Sequence, residues 1–557
     1  MPETPFDRGL PTDPELRAIA REFLTALLSE MPFVATDLGI HTWDAAMPDL
    51  SPDGRQKWHE TLARVRQKLA DVDGRHLSRS DYADWVTLRN QAELSWDDAT
   101  SWHPERRDPN WYNQVISESM MSLSRRQFGD VKTRAAHLIN RLQQAPEFLQ
   151  AAERLLDNPP KLFVEMAIQQ FQAAVPMLEG LPASFSGIDG SLGLQMEQAS
   201  RKLVEAYGRF SRFLQERWLS VASGDYRLGE QRYRERLGWQ EGIEEPLPIL
   251  LQRGYEELNR LRTLFSAAAT EIDPNASAEE LVERLATERP RPADVLDRVR
   301  AVLEDLRTFT EERQLLTLPQ GAHPQVVETP AYLRMTTLAS ISPVGPFEEE
   351  ATESYYQVTL PEPGASAADV HEQMAEFNPW TLRIISTHEV YPGHYAQFLW
   401  LPKARSTVRK ILWSGAFVEG WAHYAEELML EAGYGDRDPR MRLAQVQEAL
   451  VRVGRFIVGI RLHVGDMTLE QAEQFFNKEC MMTPKSAHRE ALRGTMDPFY
   501  LIYTLGKLEI LRLRDAAEKT WGADYSLKTF HQCLLSHGAP TFPVLERLLF
   551  PGSEANV

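Results

Sequence analysis

From about Pro14 to Gln314 the chain repeats one pattern, apolar residues at every third or fourth position, as in "DVKTRAAHLINRLQQAPEFLQAAERLL". Residues so spaced share one face of a helix, so this half can bury its apolar surface only as a packed array of amphipathic helices. Pro and Gly clusters at "DNPPKL", "GIDGSLG" and "ATERPRPADV" punctuate the array. The texture changes between Gln325 and Leu360. There "QVVETPAY", "RMTTLASIS" and "SYYQVTL" are short β-branched or aromatic runs bounded by Pro and Gly, and a small sheet is predicted. The rest, to Val557, again reads as mostly helical. A length of 557 residues is enough for about three or four domain-sized units. The change of texture divides the chain into an N-terminal helical region, 1–320, and a region 321–557 that carries the chemistry, the two forming one integrated, two-lobed unit.

Composition removes several function classes. A formal charge of −19 and no basic stripe interleaved with aromatics argue against nucleic acid as a partner. No apolar run approaches the roughly 18 residues of a membrane span, and mean hydropathy is −0.39. The opening "MPETPFDRGLPTDPELRAIAREF" has acids and prolines where a secretory signal would be basic and then apolar, so a cytoplasmic protein is expected. Cys480 and Cys533, the two cysteines, offer neither a disulfide framework nor a C-x-x-C pair.

The chemistry concentrates in "NPWTLRIISTHEVYPGH". Asn378 and Pro379 are an N-cap and first-turn pair that start a helix just ahead of His388-Glu389. A zinc-peptidase helix carries its second histidine four residues after the first, on the same face. Here position 392 is Pro392 and the next histidine is His394, six residues on. On a regular helix six residues mean about 9 Å of rise and a face turned by about 120°, too far for one ion. Pro392 forbids regularity, because it lacks the amide that would bond back to His388, and Gly393 is conformationally permissive. A local bulge that absorbs two residues is therefore predicted, returning His394 beside His388. Catalytic zinc commonly takes two histidines and a carboxylate. Glu419 of "AFVEGWAHYAEELML" lies 25 residues past His394 and shares a helical face with His423 and Glu426. Glu419 would ligate, His423 would support a ligand, and Glu426 could do the same. A second His-Glu pair, His371-Glu372 in "HEQMAEF", has no placed partner and reads as surface.

These residues carry a resemblance. "HEVYPGH" and "EGWAHY" resemble the His-Glu-x-x-Pro-Gly-His and Glu-Gly-Trp-Ala-x-Tyr hallmarks of the bacterial domain-of-unknown-function family 885, and nearly the whole chain follows it. "PFVATDLGIHTWD", "YTLGKLEILRLR" and "FHQCLLSHG" are supporting likenesses. In "GIRLH" this chain has Gly459 where the family shows Asp four residues before the His, here His463. The family is in turn similar to gluzincin peptidases, such as thimet oligopeptidase and angiotensin-converting enzyme. That likeness implies a mainly α, large helical gluzincin-like fold with a deep cleft, its small β-sheet beside the active-site helix. It also implies one Zn2+ per chain on His388, His394 and Glu419, Glu389 as general base, and short peptides as substrates.

The expected reaction is hydrolysis of a short peptide or other small amide by metal-activated water, with Glu389 moving the proton. Tyr503 is the first choice for donor to the oxyanion, Tyr500 and His463 the alternatives, and aromatic packing the competing role for either tyrosine. Arg493 and Arg514 are candidates for holding a substrate carboxylate, against internal ion pairing. No Gly-x-Met-Glu-Asn segment precedes the motif, which favours carboxy-directed or short-peptide cleavage. Two other readings compete: a zinc hydrolase of a non-peptide amide or specialised metabolite, and a non-catalytic peptide-binding or scaffold protein.

Overall fold

The computed structural model describes residues 5–185, 188, 190–330, 334, 337–362 and 364–550. Parts of "GIDGSLG", "QVVETPAY", "RMTTLASIS" and "PEPGASAADV" lie outside the described residues. The chain is mainly helical with one small sheet. Helix starts follow local chemistry. Asp13, Ser51 and Asp130 each accept an amide hydrogen bond from the first turn of Pro14–Glu30, Pro52–Asp71 and Val131–Leu155. Val131–Leu155 runs straight through Pro146, which the sequence rule alone would have made a break. The glycines of "GIDGSLG" punctuate less than expected, since helix Gly190–Phe213 takes in both Gly190 and Gly193.

The elements around the site are α1 (Leu247–Ile272) and α2 (Val295–Glu312), strands β1 (Gln325–Glu328), β2 (Ala339–Ser342) and β3 (Tyr355–Val358), then α3 (Pro379–Glu389), α4 (His394–Trp400), α5 (Gly415–Glu431), α6 (Pro439–Val464), α7 (Pro484–Met496), α8 (Ile502–Trp521) and α9 (Leu527–Leu535). The sheet order is β1-β3-β2, with β1 parallel and β2 antiparallel to β3. Tyr356 of β3 is fully buried, and its hydroxyl lies 3.2 Å from Ser386 Oγ, which docks the sheet on α3.

The largest apolar cluster runs from Leu258 on α1 to Phe550 and so draws on both sides of position 320. A second cluster near the start of the chain takes in Val408, Ile411 and Leu412 from the later half. The two halves thus share cores. Helices α5 and α8 pass in near contact at two glycines. A Cβ on Gly506 would stand 1.8 Å from the Ala416 carbonyl, and one on Gly420 2.4 Å from Gly506, so any side chain there would push the helices apart. Among the described residues no helix is long and apolar enough to cross a membrane.

Candidate metal centre

Helix α3 begins as its sequence dictates: Asn378 Oδ1 accepts from the amides of Trp380 and Thr381, and Pro379 takes the first helical position. The end of α3 differs from the predicted bulge. It stops at Glu389, residues 390–393 are non-helical, and α4 starts afresh at His394. Two physical reasons combine. Pro392 has no amide to continue the ladder, and its peptide with Tyr391 is cis. Gly393 folds back on the end of α3 so closely that a Cβ would lie 1.9 Å from the His388 carbonyl and 2.3 Å from that of Thr387. What Gly393 supplies is therefore absence of volume, and its amide donates to Thr387 O at 3.1 Å. Trp421 of α5 closes the turn: its Nε1–H is directed at the carbonyls of Pro392 (2.9 Å) and Gly393 (3.2 Å). His394 is thereby returned beside His388, the ring centroids 4.8 Å apart and the planes near perpendicular.

Glu419 comes from α5, whose N-terminus is capped by Ser414 Oγ accepting from the Phe417 amide. One nitrogen of each histidine and one Glu419 oxygen all lie within 4.8 Å of one another. Glu419 Oε2 stands 3.3 Å from His394 Nε2 and 3.5 Å from His388 Nε2. Yet this oxygen is buried and forms no properly directed hydrogen bond. Three donor atoms that converge without bonding one another have the character of a ligand set. Ligands about 2.0–2.1 Å from a zinc ion at the tetrahedral angle stand roughly 3.3–3.4 Å apart, close to the two separations from Glu419.

The surroundings favour positive charge at this point. His388 Nδ1 lies 2.7 Å from Glu426 Oε1, so that nitrogen carries the proton the carboxylate accepts and Nε2 faces the group. Burial works against a charged His388, but Glu419 and Glu426 outweigh it and raise its pKa to about 9. Burial raises Glu419 too, and the two histidines overcome this and hold it well below the usual carboxylate range. Glu426, fully buried, is raised by burial and lowered by more through Arg452, His423 and His388. Arg452 Nη2 lies 3.3 Å from Glu426 and His423 Nδ1 3.2 Å. Glu426, rather than His423, is the direct partner of His388. His423 supports that carboxylate instead, and burial depresses its pKa to about 4, so the ring is neutral.

Glu389 is half-buried beside the group, and one of its oxygens accepts from the Ile341 amide of β2 at 3.0 Å. Burial, aided by the Glu419 charge, raises its pKa. Tyr503 on α8 is half-buried, takes a hydrogen bond from Arg493 Nη2 at 3.2 Å, and feels both burial and the Glu419 charge, which raise its pKa. Arg493 also pairs with Asp497 at 3.2 Å. Tyr500 is fully buried, its ring 2.8 Å from where a Gly459 Cβ would lie and its hydroxyl 2.2 Å from that of Gly494. It is a packing residue, and Gly459 is the space it needs. Arg514 binds Glu431 at 2.9 Å and the Tyr424 hydroxyl at 3.2 Å, an internal pair rather than an open anion site. His463 is buried with Nε2 donating to the Gly494 carbonyl at 2.8 Å, on the wall of a cavity of about 550 Å³. His371 is exposed beside Arg289, and Glu372 pairs with Lys485. Sequence reasoning missed Trp421, Arg452 and the Ile341 amide. Trp421 lay inside "EGWAHY" and Ile341 inside "RMTTLASIS", and the signal for the first was an indole N–H between small residues; nothing marked Arg452.

A helical protein with a buried His-His-Glu group beside a small sheet defines a fold and a candidate centre, and comparison with known proteins places it. The family model for bacterial proteins of unknown function, DUF885, matches residues 32–549. The chain belongs to that family. No curated protein matches it. Two solved structures share the fold. A Shewanella oneidensis protein described as "a putative lipoprotein of unknown function" superposes with a TM-score of 0.78 at 24% identity, covering 95% of this chain and 98% of its own. A Colwellia psychrerythraea protein described as "the putative lipoprotein" has a TM-score of 0.80 at 19% identity, with 96% and 98% covered.

Proposed function

We propose that this protein is a zinc-dependent hydrolase of short peptides, with a gluzincin-like cleft, in which His388, His394 and Glu419 hold the ion. The observation that carries the reading is the buried Glu419 oxygen, set 3.3 and 3.5 Å from two imidazole nitrogens and hydrogen-bonded to neither. When bound, zinc supplies Lewis acidity that makes water a nucleophile near neutral pH. The remaining steps belong to side chains. Glu426 fixes the tautomer and orientation of His388. Glu389, one oxygen tied to the Ile341 amide, keeps the other for taking the water's proton and passing it to the leaving amine. The Tyr503 hydroxyl, with Arg493 behind it, would donate to the developing oxyanion. β2 is the edge of the sheet and lies against Glu389, an arrangement that suits an extended peptide better than a compact metabolite. A cytoplasmic setting is part of the reading, supported by two unpaired thiols, Cys480 and Cys533.

The test is metal content of the purified protein by mass spectrometry, wild type beside His394→Ala. One zinc per chain, lost in the variant, is the expected result, followed by cleavage in a peptide screen. A wild type that stays metal-free after zinc supplementation defeats the proposal and leaves a binding protein. Zinc with amide turnover but no peptide turnover would move the substrate to a non-peptide amide.

A further inference from the structure

The cavity of about 550 Å³ is of ligand size, and its wall takes in the N-terminal end of α5. Gly415 in its wall is one helical turn from Glu419, and Ile502 precedes Tyr503. Trp413, also in the wall, meets Phe398 edge-on at 5.6 Å, and Phe398 stacks on His394 at 6.0 Å. The opposite wall is built by the N-terminal helices, with Trp102 and Arg107.

The charged groups of this wall can be accounted for one at a time. Arg236 is neutralised by Asp97 at 2.6 Å and Asp98 at 2.8 Å. Glu241 accepts from Ser414 Oγ and from the Ala416 amide. Asp497 pairs with Arg493, and Asp108 caps the helix Pro109–Ser124 through the Asn110 amide. Arg107 differs. Its guanidinium lies over the Trp102 ring, 4.1 Å from the centroid, and donates to one acceptor, the Asp225 carbonyl. Among the described residues no carboxylate lies within ion-pair distance of it. Burial, then the neighbouring charge of Arg232, lower its pKa, against the smaller raising effect of the Asp225 charge.

Two further polar groups of the wall each have an atom without a partner, but these buried atoms offer the cavity no surface. His463 Nε2 faces a carbonyl, which only accepts, so Nε2 bears the hydrogen and Nδ1 is a bare acceptor, buried and unpartnered. Gln240 Oε1 in the same wall is likewise buried without a partner. The cavity thus presents a stacked guanidinium, whose planar fork suits a carboxylate, between aromatic walls.

We propose that this cavity is a carboxylate subsite in which Arg107 anchors the free C-terminal carboxylate of a short peptide with an apolar or aromatic last residue. The proposal rests on the hydrolase reading only in calling that peptide a substrate; its binding chemistry stands without the metal. The geometry directs cleavage toward the C-terminal end.

The test reads binding, not turnover. Purified full-length protein is titrated with 3-phenylpropionate and with 3-phenylpropionamide, following the fluorescence of the tryptophans in the wall. Wild type should bind the carboxylate at least about tenfold more tightly than the amide, Arg107→Gln should lose that preference, and His394→Ala should keep it. Equal binding of the two probes by wild type, or binding of neither, overturns the proposal without recourse to any variant. A preference kept in Arg107→Gln but lost in His394→Ala would place the carboxylate on the metal and overturn it as well. Failure of the hydrolase reading looks different: no zinc and no cleavage, with the carboxylate preference intact.

Discussion

Helix α5 presents two polar faces to the interior, and they are built on opposite principles. On one, Glu419 Oε2 and His423 Nε2 are buried and unpartnered, as is Nδ1 of the neighbouring His394. On the other, Glu427 meets Lys507 at 3.2 Å and Arg260 at 3.0 Å. Fully buried Lys507 also binds Glu257 at 2.6 Å, so two carboxylates answer two cations. A turn away, Arg514 donates to the Tyr424 hydroxyl, which lies 2.9 Å from His531 Nε2, while His531 Nδ1 donates to the Leu315 carbonyl at 2.7 Å. A satisfied buried network rigidifies a core. An unsatisfied one costs free energy that a ligand recovers. The contrast separates chemistry from scaffold within a single motif, since "EGWAHY" contributes Glu419 and His423 to one face and Tyr424 to the other.

The sharpest way to break the contrast is at the catalytic edge of the open face. Glu389→Gln keeps shape and the Ile341 contact but cannot take a proton, so kcat should fall by about 10²–10⁴-fold with zinc retained. Tyr503→Phe should cost about 10²–10³-fold in kcat with little change in KM. Steady-state kinetics with metal analysis check both. Full turnover in Glu389→Gln would remove the general base, and unchanged kcat in Tyr503→Phe would remove the oxyanion donor.

Next in size is the turn that makes the group. Trp421→Phe deletes the N–H shared by the Pro392 and Gly393 carbonyls while keeping an aromatic ring, though a smaller one. The turn should loosen and zinc affinity should drop about 10–100-fold, read by competition with a chelator. Unaltered affinity would show that Pro392 and Gly393 fix His394 without help.

Much of this was legible in the chain. The helical array, the strands at 325–328, 339–342 and 355–358, the Asn378–Pro379 start and the pairing of His388 with His394 follow from period and local chemistry. The helix break in place of a bulge was not, because the decisive quantity is the 1.9 Å between a Gly393 Cβ and a carbonyl five residues back, a tertiary distance. That Glu426, and not His423, meets His388 directly was hidden for a related reason. Spacing puts both on the Glu419 face, and only the placement of α3 and α6 decides which one meets His388 and which meets a helper. The scaffold role of Arg514 and Tyr500 needed partners from distant elements, Glu431 on α5 and the glycines of α6 and α7.

The satisfied face makes a pH prediction of intermediate size. Burial, opposed by the Leu315 hydrogen bond and joined by the nearby Arg514 charge, lowers the His531 pKa to about 4, against an ordinary value near 6.5. Between those values the unfolded chain binds a proton that the folded chain excludes. Stability from this group is therefore complete above about pH 6.5 and declines as pH falls toward 4, by about 1.4 kcal/mol per pH unit inside the window. Thermal melts at pH 7 and pH 5 should show His531→Gln less stable at pH 7, with the gap narrowing by about 2 kcal/mol at pH 5. A constant gap would mean that His531 titrates in the fold as it does in the unfolded chain.

The smallest expected effect is the most diagnostic for the division between the faces. Arg514 was a sequence candidate for holding a substrate carboxylate, and its position in the fold gives it Glu431 and the Tyr424 hydroxyl instead. Its partner carboxylate is largely solvent-exposed, so the pair should contribute under about 1 kcal/mol. Arg514→Met keeps the aliphatic stem against the Tyr424 ring and removes the charge. Melting should then shift by a few degrees at most, while zinc content, kcat and KM for a carboxylate-ended peptide stay within about twofold. Arg107→Gln, made in parallel, should raise that KM at least about tenfold and leave zinc untouched. If the two variants exchanged phenotypes, unpaired charge would be no guide to function here, and the accounting that separates the two faces of α5 would fail with it.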